Sequence, residues 1–388
     1  MQAKRIGVAV ASSESYDRAA LHGILSYCRT HGQWKFYYNE NPVPPEHMLS
    51  RMAEVFKRMD LQGIIINLWF KEVLDTIMPW GLPVVEIGGT VAGPCSSVHV
   101  DNDAVGTMAA QHLLERGFSN FGFIGWHGAK HCDERRDAFI RTLAQAGCSC
   151  EVLMLPAPAR TQPIHADVLM SQWLKSLPKP VGVFAWYDYP AREAIYACRQ
   201  LGIRVPRDVA VLGVDNDELN CTLSDTPISS IDVNPTLIGY HAAKLIHQLI
   251  NGKKPPAKPI LIQPKGVVVR RSTDTLANAK PEVAKALQFI RDHATEGIRV
   301  SDVLHGVAIS RRALEMELSR LLGRSPLQQI RHERIQRAKS LLLDTDLSIL
   351  AIARSCGFRS ASSFGNVYKG ELGSSPAQFR AKHRIVTL

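Results

Sequence analysis

The C-terminal part of the sequence repeats itself with an offset of 50 residues, and this repeat limits the possible folds more than any other feature. Each copy begins with a serine, continues with apolar residues spaced four apart, and ends in Gly-x-Ser-Pro. Serine favours the start of a helix and glycine its end, and proline prevents its continuation. The repeat therefore predicts two equivalent helices in an all-α domain, preceded by shorter helices at 301–307 and 348–355. The matched residues are Ser310 and Ser360, Leu314 and Phe364, Leu318 and Tyr368, Leu322 and Leu372, Gly323 and Gly373, and Pro326 and Pro376.

Two short helices joined by a tight turn form a helix-turn-helix unit, whose second helix enters the DNA major groove with its N-terminal residues at the bases. If the apolar residues face inward, polar and small residues remain outside, where they predict contact with DNA. A helical bundle with a solvated surface would show the same outer face, so this pattern alone leaves both interpretations open. The predicted DNA-binding residues are Ser310, Arg311, Arg312, Glu315 and Met316 in the first copy, and Ser360, Ala361, Ser362, Gly365, Asn366 and Lys369 in the second.

The distribution of charge favours a nucleic-acid partner for this region. Residues 275–388 hold 18 basic against 10 acidic side chains, whereas residues 1–274 hold 28 against 26, so most of the net charge of +10 is C-terminal. A basic domain attracts DNA phosphates. Within it, Arg312 suits a guanine edge and Asn366 an adenine edge. Arg311, in the first turn after its serine cap, is expected at a phosphate.

The second copy and its surroundings also carry a family signature. Residues 348–380 read SIxxIAxxCGFxSxSxFxxxYKxxLGxSPxxFR, and this run resembles the AraC/XylS family of transcription regulators over about residues 283–384. The resemblance implies that both recognition helices of one chain read successive major grooves on one DNA face. Ala361 and Gly365 depart from the family because their side chains cannot hydrogen-bond to bases. The second helix is therefore expected to contribute more to docking than to specificity.

Residues 5–270 alternate short apolar runs with longer amphipathic segments, which is typical of parallel β-strands covered by helices. The predicted strands are 6–11, 63–69, 84–87, 121–125, 181–186, 209–214 and 267–269, and the predicted helices are 17–30, 102–116, 133–146, 189–201 and 236–250. A small, polar segment follows at 275–281. The sequence thus predicts a doubly wound α/β domain at 1–274, a linker at 275–281, and an all-α domain with two helix-turn-helix units at 282–388.

The α/β part lacks the sequence motifs of common enzymes. It contains no GxxxxGK[ST] phosphate loop, GxGxxG fingerprint, GxSxG elbow or HExxH motif. The eight cysteines form no CxxC pair, and His127, His131 and Cys132 are more simply incidental loop residues than metal ligands. No signal peptide and no apolar run of 18 residues occurs. We therefore expect a cytoplasmic protein that is not an enzyme and that needs no metal, cofactor or membrane.

Polar side chains follow several of the predicted strands. Because doubly wound domains bind ligands at the carboxyl ends of their strands, these side chains are candidate ligand contacts. Carboxylates and arginines beside aromatic rings suit a small polyhydroxylated ligand. Helix caps and surface ion pairs account for any single one of them almost as well, and Asp101 is expected to be chiefly a cap. The candidates are Tyr16, Asp17, Arg18, Arg135, Asp188, Asp215 and Asn216.

A second resemblance covers this domain. DNxxxG at 101–106, FIG at 123–125, RxxxF at 135–139, GIxVPxDVAVxGxDN at 202–216 and RST at 271–273 resemble the effector domain of the LacI/GalR family. That family is similar to periplasmic sugar-binding proteins, which implies two lobes with a sugar between them. Its members carry the DNA-binding domain at the N-terminus, whereas here the first strand opens the chain. A LacI-like sensor followed by an AraC-type tail resembles the subgroup of xylose operon regulators, with YDR at 16–18 and DNxEL at 215–219 as further matches.

That subgroup implies a sugar-responsive transcription regulator, an activator, with xylose as the leading ligand. It implies sugar contacts by Arg18, Arg135, Asp188 and Asn216, with Asp215 next, while Trp126, Trp186 or Tyr187 could reshape the pocket. The partners implied are a double-stranded DNA operator, a small sugar such as a pentose, RNA polymerase and a second copy of the chain.

Two other functions remain open from the residues. One is a cytoplasmic sugar-binding or sugar-modifying protein fused to a helical interaction module, which sugar turnover would support. The other is an architectural DNA binder without a ligand, which the absence of any sugar binding would favour.

Overall fold

The computed structural model describes residues 3–11, 14–38, 56–67, 71–89, 93–155, 163–277 and 280–383, and all structural statements below refer to these ranges. Within them the chain forms two six-stranded sheets and then a helical domain. The strands are β1 (Lys4–Ala9), β2 (Trp34–Tyr38), β3 (Gly63–Ile66), β4 (Val84–Glu86), β5 (Ser96–Val100), β6 (Asn120–Trp126), β7 (Cys150–Leu155), β8 (Val181–Ala185), β9 (Val209–Val214), β10 (Ser229–Asp232), β11 (Ile260–Ile262) and β12 (Gly266–Val268).

Helices cover both sheets and then continue alone to the C-terminal end. Those of the α/β part are α1 (Ser15–Thr30), α2 (Lys71–Ile77), α3 (Asn102–Leu114), α4 (Lys130–Gln145), α5 (Pro163–Ser176), α6 (Asp188–Gln200), α7 (Glu218–Thr222) and α8 (Pro235–Ile250). Those of the helical domain are α9 (Pro281–His293), α10 (Val300–His305), α11 (Arg311–Leu322), α12 (Pro326–Asp344), α13 (Ile349–Ser355), α14 (Ala361–Leu372) and α15 (Pro376–His383). Short 3-10 turns lie at Met78–Trp80, Arg271–Thr273 and Ala294–Glu296.

The two sheets have equivalent strand orders and define two lobes. The first lobe has the order β2-β1-β3-β4-β5-β11 and the second the order β7-β6-β8-β9-β10-β12. The strand pairs are parallel, apart from the antiparallel pair of β10 with β12. The chain passes between the lobes after β5, β10 and β11. This doubly wound arrangement brings the carboxyl ends of the strands to the edge where such folds bind ligands.

Burial on both faces explains why the central strands are continuously apolar. Every residue of β8 and of β9 is buried, as two-sided coverage by helices requires. Between α1 and α8 the backbones approach so closely that a Cβ on Gly23 would lie 1.9 Å from the Thr236 carbonyl oxygen. Gly239 faces the Ala20 carbonyl oxygen in the same way. Only glycine permits this helix contact.

The helical domain confirms the repeat. The Ser310 hydroxyl accepts a hydrogen bond from the Ala313 amide at 3.2 Å, and the Ser360 hydroxyl accepts one from the Ser363 amide at 3.1 Å. Gly323 and Gly373 end their helices in the left-handed conformation. Each unit has its own apolar core, and α12 contributes to both.

The predicted fold class is confirmed: a two-lobed α/β part precedes an all-α part with two helix-turn-helix units. The predicted helices agree within about three residues at their ends. Strand β1 begins two residues before the prediction, and β3 ends at Ile66, while positions 68–69 of the predicted strand lie outside the described residues. Strands β2, β5, β7, β10 and β11 were not predicted. The domain limits remain a prediction, with α9 starting at the end of the proposed linker.

Candidate functional site: interlobe cleft and DNA interface

The carboxyl ends of both sheets meet at a narrow, partly open cleft. Its cavity of about 60 Å³ is much smaller than the roughly 300–1,000 Å³ of typical ligand pockets, so the two lobes lie close together here. The residues that line it follow β1, β3, β4, β6, β8 and β9, as the topology requires. They are Glu14, Tyr16, Asn67, Gly88, His131, Arg135, Trp186, Tyr187 and Asp215.

Arg135 is the buried cation of this cleft. It lies on α4 with 5% of its surface exposed. Its Nε donates to the Asn102 side-chain oxygen at 3.0 Å, and its Nη1 donates to the Trp186 carbonyl oxygen at 2.6 Å. Burial lowers the pKa of Arg135, and the nearby Asp215 carboxylate opposes that shift. These two hydrogen bonds hold the guanidinium in a fixed orientation, and its positive charge can interact with a ligand in the cleft.

Three predicted carboxylates have raised pKa values because they are buried. Burial raises the pKa of Asp188 to about 8, and the charge of Asp215 adds to that shift. Burial raises the pKa of Asp17 to about 7, although its hydrogen bond from Asn67 opposes the change. For Asp215 burial raises the pKa to about 6, against the attraction of Arg135. The carboxyl nearest the arginine is therefore the one most readily ionised at neutral pH.

Asp17 and Asp188 hold the walls of the cleft and do not line its cavity. The Asp17 carboxylate accepts from the Ala11 amide and from the Asn67 side chain, both at 2.6 Å, and so joins the segments after β1 and β3. The Asp188 carboxylate accepts from the Asp217 amide at 2.8 Å. It thereby supports the loop that carries Asp215.

Arg18 and Asn216 lie beside the cleft. Both line a neighbouring pocket of about 280 Å³ that also contains Asp215 and Lys265. The Asn216 side-chain oxygen accepts from Arg270 at 2.7 Å. Asp215 and Asn216 have φ values of 97° and 54°, which non-glycine residues rarely adopt, so their loop is strained at the point where the two pockets meet.

An aromatic wall completes the cleft, and it includes a residue that the sequence interpretation did not select. The ring centroids of His131 and Trp186 are 5.1 Å apart, and those of Trp186 and Tyr187 are 4.3 Å apart. Burial, followed by the charge of Arg135, holds the pKa of His131 well below its ordinary value, so the ring is neutral. Its position four residues before Arg135, on one helix face, was the signal that could have identified it.

The two recognition helices, α11 and α14, present most of the predicted DNA-binding residues to solvent. Ser310, Arg311, Arg312 and Met316 are exposed on the first, and Glu315 is partly exposed and pairs with Arg311 at 2.9 Å. On the second helix Ser360, Ser362, Asn366 and Lys369 are exposed, and Ala361 and Gly365 are partly exposed. Leu314, Leu318, Phe364 and Tyr368 are fully buried beneath them.

Helix α12 packs against the cores of both units, and only some of its basic side chains are exposed to solvent. Arg334 donates to the carbonyl oxygens of Ala294 and Ile298, and Lys339 is only partly exposed, whereas Arg331 and Arg337 are exposed.

In the α/β part, the Asp101 side chain accepts a hydrogen bond from the Ala104 amide at 3.0 Å, which confirms its role as the cap of α3.

Comparison with known proteins agrees with this arrangement. A periplasmic binding protein-like domain model matches residues 110–273, and a helix-turn-helix domain model matches residues 305–382. The xylose operon regulatory protein of Escherichia coli K12 is 32% identical over 395 positions, covering 99% of this chain and 98% of the relative. That of Haemophilus influenzae is 31% identical and covers 97% and 98%.

The solved structure of the xylose-binding transcription activator XylR has 30% identity and a TM-score of 0.62, and the match covers 99% of this chain and 100% of that one. The chain belongs to the xylose operon regulator family. It is a DNA-binding transcription regulator, with a periplasmic-binding-protein-like domain and a helix-turn-helix domain. Its relatives regulate transcription and are not enzymes. Among the described residues of this regulator, no helix has the length and apolarity needed to span a membrane.

Proposed function

We propose that this regulator is a cytoplasmic activator whose operator binding is controlled by a sugar in the interlobe cleft, with xylose as the first candidate. The names of its relatives refer to xylose, which supports a pentose. The observation that carries the proposal is Arg135, a buried guanidinium held by Asn102 and by the Trp186 carbonyl, facing Asp215 in a cleft with an aromatic wall.

The cleft offers complementary chemistry for a monosaccharide. Arg135 donates hydrogen bonds and the Asp215 carboxylate accepts them. The neutral His131 ring can donate a hydrogen bond from one nitrogen and accept one at the other. Trp186 and Tyr187 can stack on the C–H face of a sugar ring. In this proposal Tyr16 and Asp215 join Arg135 in contacting the sugar, Asp17 and Asp188 hold their loops, and Arg18 and Asn216 act from the adjoining pocket.

Sugar control follows from the two lobes. A cavity of about 60 Å³ is too small for typical ligands, so binding of a sugar in this cleft would widen the space between the lobes. A sugar that binds one lobe arrangement more tightly shifts the population toward it. In a homodimer this shift would change the spacing of the two tails and thus the affinity for an operator, from which the activator would contact RNA polymerase.

DNA reading is assigned to the exposed N-terminal ends of α11 and α14. We propose that Arg312 reads a guanine edge, that Arg311 contacts a phosphate, and that Asn366 reads an adenine edge. Glu315 and Met316 occupy base-reading positions beside Arg312, and the small residues Ala361, Ser362 and Gly365 permit close approach of α14.

Calorimetric titration of the full-length protein with xylose, arabinose, ribose and glucose tests the sensor. We expect one pentose to bind, and a thermal-shift assay at 100 times its Kd should show stabilisation by about 2.7 kcal/mol. Replacing Arg135 by glutamine should weaken binding by about 1–3 kcal/mol for each hydroxyl left unpaired. Asp215→Asn provides a second variant of nearly identical shape.

Arg136→Gln is the matched control, because the neighbouring Arg136 points to Asp133 and Asp137 on the outer face of the same helix. It should bind the sugar as the parent does. Unchanged binding by both Arg135→Gln and Asp215→Asn would place the sugar elsewhere. Absence of binding to any sugar would favour a ligand-independent DNA binder, and sugar turnover would favour an enzyme.

A further inference from the structure

The sensor contacts the DNA-binding domain at the side opposite its predicted DNA-reading residues. A cavity of about 550 Å³ lies between the two domains. Helix α3 of the second lobe lines it on one side, and Leu322 and Leu372, at the C-terminal ends of both recognition helices, line it on the other. Arg312 and Ser362 lie at the N-terminal ends, more than two helical turns away. The sensor therefore contacts the first helix-turn-helix unit, faces the second across this cavity, and leaves the DNA-reading ends of both free.

One sensor carboxylate links these units. Glu115 follows the last residue of α3, and its Oε1 accepts from Arg324 Nη2 at 2.6 Å, in the turn after α11. Its Oε2 lies 3.8 Å from the His332 Nε2 on α12. The other nitrogen of His332 lies 3.6 Å from the Glu371 carboxylate on α14. One hydrogen bond and two longer polar contacts thus connect the sensor with the first unit, α12 and the second unit.

The opposite end of α3 lies at the cleft. Asn102, its first residue, accepts from Arg135 and donates to Glu134 at 2.9 Å. A helix of 13 residues is about 20 Å long and packs here along α4, which carries Arg135. Arg135, α4 and α3 thus form one packed connection between the cleft and Glu115.

The interface around this link is polar and incompletely satisfied. Within the part of the chain that the structure describes, the Gln329 side-chain oxygen and the Arg291 Nε are buried without a hydrogen-bond partner. Burial lowers the pKa of Lys339, which lines the same cavity. The docking of the tail on the sensor therefore depends on few direct polar contacts, of which the pair of Glu115 and Arg324 is one.

We propose that Glu115 is a positioning residue that transmits the ligand state of the cleft to both recognition helices, by holding Arg324 and His332 in one arrangement. The proposal rests on the proposed function, in which a sugar binds in the cleft. Arg324 and His332 have side-chain exposures of 27% and 17%, so these contacts are shielded from solvent more than most surface ion pairs.

The test measures sugar control in the full-length protein. A DNA duplex is first selected from a random-sequence pool by the parent protein, and its Kd is measured by fluorescence anisotropy with and without xylose. Glu115→Gln should reduce the ratio of the two Kd values by about five-fold while xylose still binds in calorimetry. Arg324→Gln should reduce the ratio in the same direction and by no more than Glu115→Gln does. The double variant should lose no more than Glu115→Gln alone, because that variant already weakens the Arg324 contact.

Asp103→Asn is the control, since Asp103 lies on the same helix but pairs with Arg141 away from the tail. It should keep the parental ratio. A Glu115→Gln variant that also keeps it overturns the proposal, and so does a double variant whose loss equals the sum of the single losses.

Hydrogen exchange separates this proposal from the proposed function. Without any sugar, amides near Leu322 and Leu372 should exchange about five-fold faster in Glu115→Gln than in Asp103→Asn. If no sugar changes the DNA affinity of the parent, the proposed function fails, and the exchange rates alone decide whether Glu115 holds the tail. Equal exchange rates in the two variants would overturn that role as well.

Discussion

The two recognition helices share a scaffold and differ in their outer faces. Both begin at a serine cap, bury the residues at the first two matched apolar positions and end at a left-handed glycine. The first carries Arg311, Arg312, Glu315 and Met316 on its outer face, whereas the second carries alanine, serine and glycine at the first three matched positions and asparagine at the fourth.

This difference teaches that fold and recognition are specified by separate residues of one repeat. The inner positions define two cores of similar construction, while the outer positions define what each helix can do on DNA. The first helix has long side chains that suit base reading. The second has small ones that suit close approach to the backbone.

Truncation of the buried positions should produce the largest effects and test the shared scaffold. Leu314→Ala should destabilise its unit by about 2–5 kcal/mol and Phe364→Ala by about 3–5 kcal/mol, because both side chains are fully buried. Denaturant unfolding followed by circular dichroism measures both. The exposed Ser362→Ala serves as the control and should change stability by less than about 0.5 kcal/mol. A loss below 1 kcal/mol at Phe364 would show that the second core is not built like the first.

Base reading should be the next largest effect and test the difference between the faces. Arg312→Ala should weaken binding to the selected duplex by about 1–3 kcal/mol more than binding to random DNA. Arg311→Ala should weaken both equally and reduce the salt dependence, as expected for a phosphate contact. Affinities across a salt series distinguish the two. If Arg312→Ala behaves like Arg311→Ala, the first helix does not read bases through this side chain.

The serine caps should have equal and smaller effects. Ser310→Ala and Ser360→Ala each remove one hydrogen bond to a backbone amide, which costs about 1 kcal/mol. Thermal unfolding measures the change, and Ser→Asp at either position should restore the cap. A markedly unequal loss would mean that the two helices do not depend on their caps alike.

The smallest effect concerns Gly365 and separates stability from DNA approach. No atom of another described residue lies within 4 Å of a Cβ built on Gly365 or on Gly370, apart from the backbone of the same helix, so alanine fits at both. Each Gly→Ala change should stabilise the helix by about 0.5–1 kcal/mol. Only Gly365→Ala should weaken DNA binding, because Gly365 lies on the predicted DNA face and Gly370 near the other end. Unchanged DNA affinity in both variants would remove Gly365 from the interface.

Elements with a strong local pattern were predictable from the sequence. The serine, glycine and proline residues of the repeat fix its helices, and the fully buried β8 and β9 are continuous apolar runs. The missed strands depend on distant partners. Strand β11 has only three residues and pairs with β5, about 160 positions earlier in the chain, so its local sequence pattern does not predict it.

The cleft was only partly predictable for a related reason. A strand end indicates which residues approach the ligand edge, but it does not indicate where each side chain points. Arg135 and Asp215 reach the cavity. Asp188 also follows a strand, but its side chain accepts a hydrogen bond from the backbone amide of Asp217 in another loop. His131 was missed because a histidine in a short loop-to-helix segment is, by itself, more often incidental.

The connection between the domains has a consequence for building chimaeric regulators. Leu276 packs on the core of the first helix-turn-helix unit, while the adjacent Ala277 is buried in the sensor core and donates its amide to the Arg116 carbonyl oxygen at 2.8 Å. Neighbouring residues of the segment thus belong to opposite domains. A single fusion point cannot keep both residues with their own domains, because Leu276 precedes Ala277 in the chain. A chimaera should therefore match residue 276 to the apolar surface of its tail and residue 277 to that of its sensor.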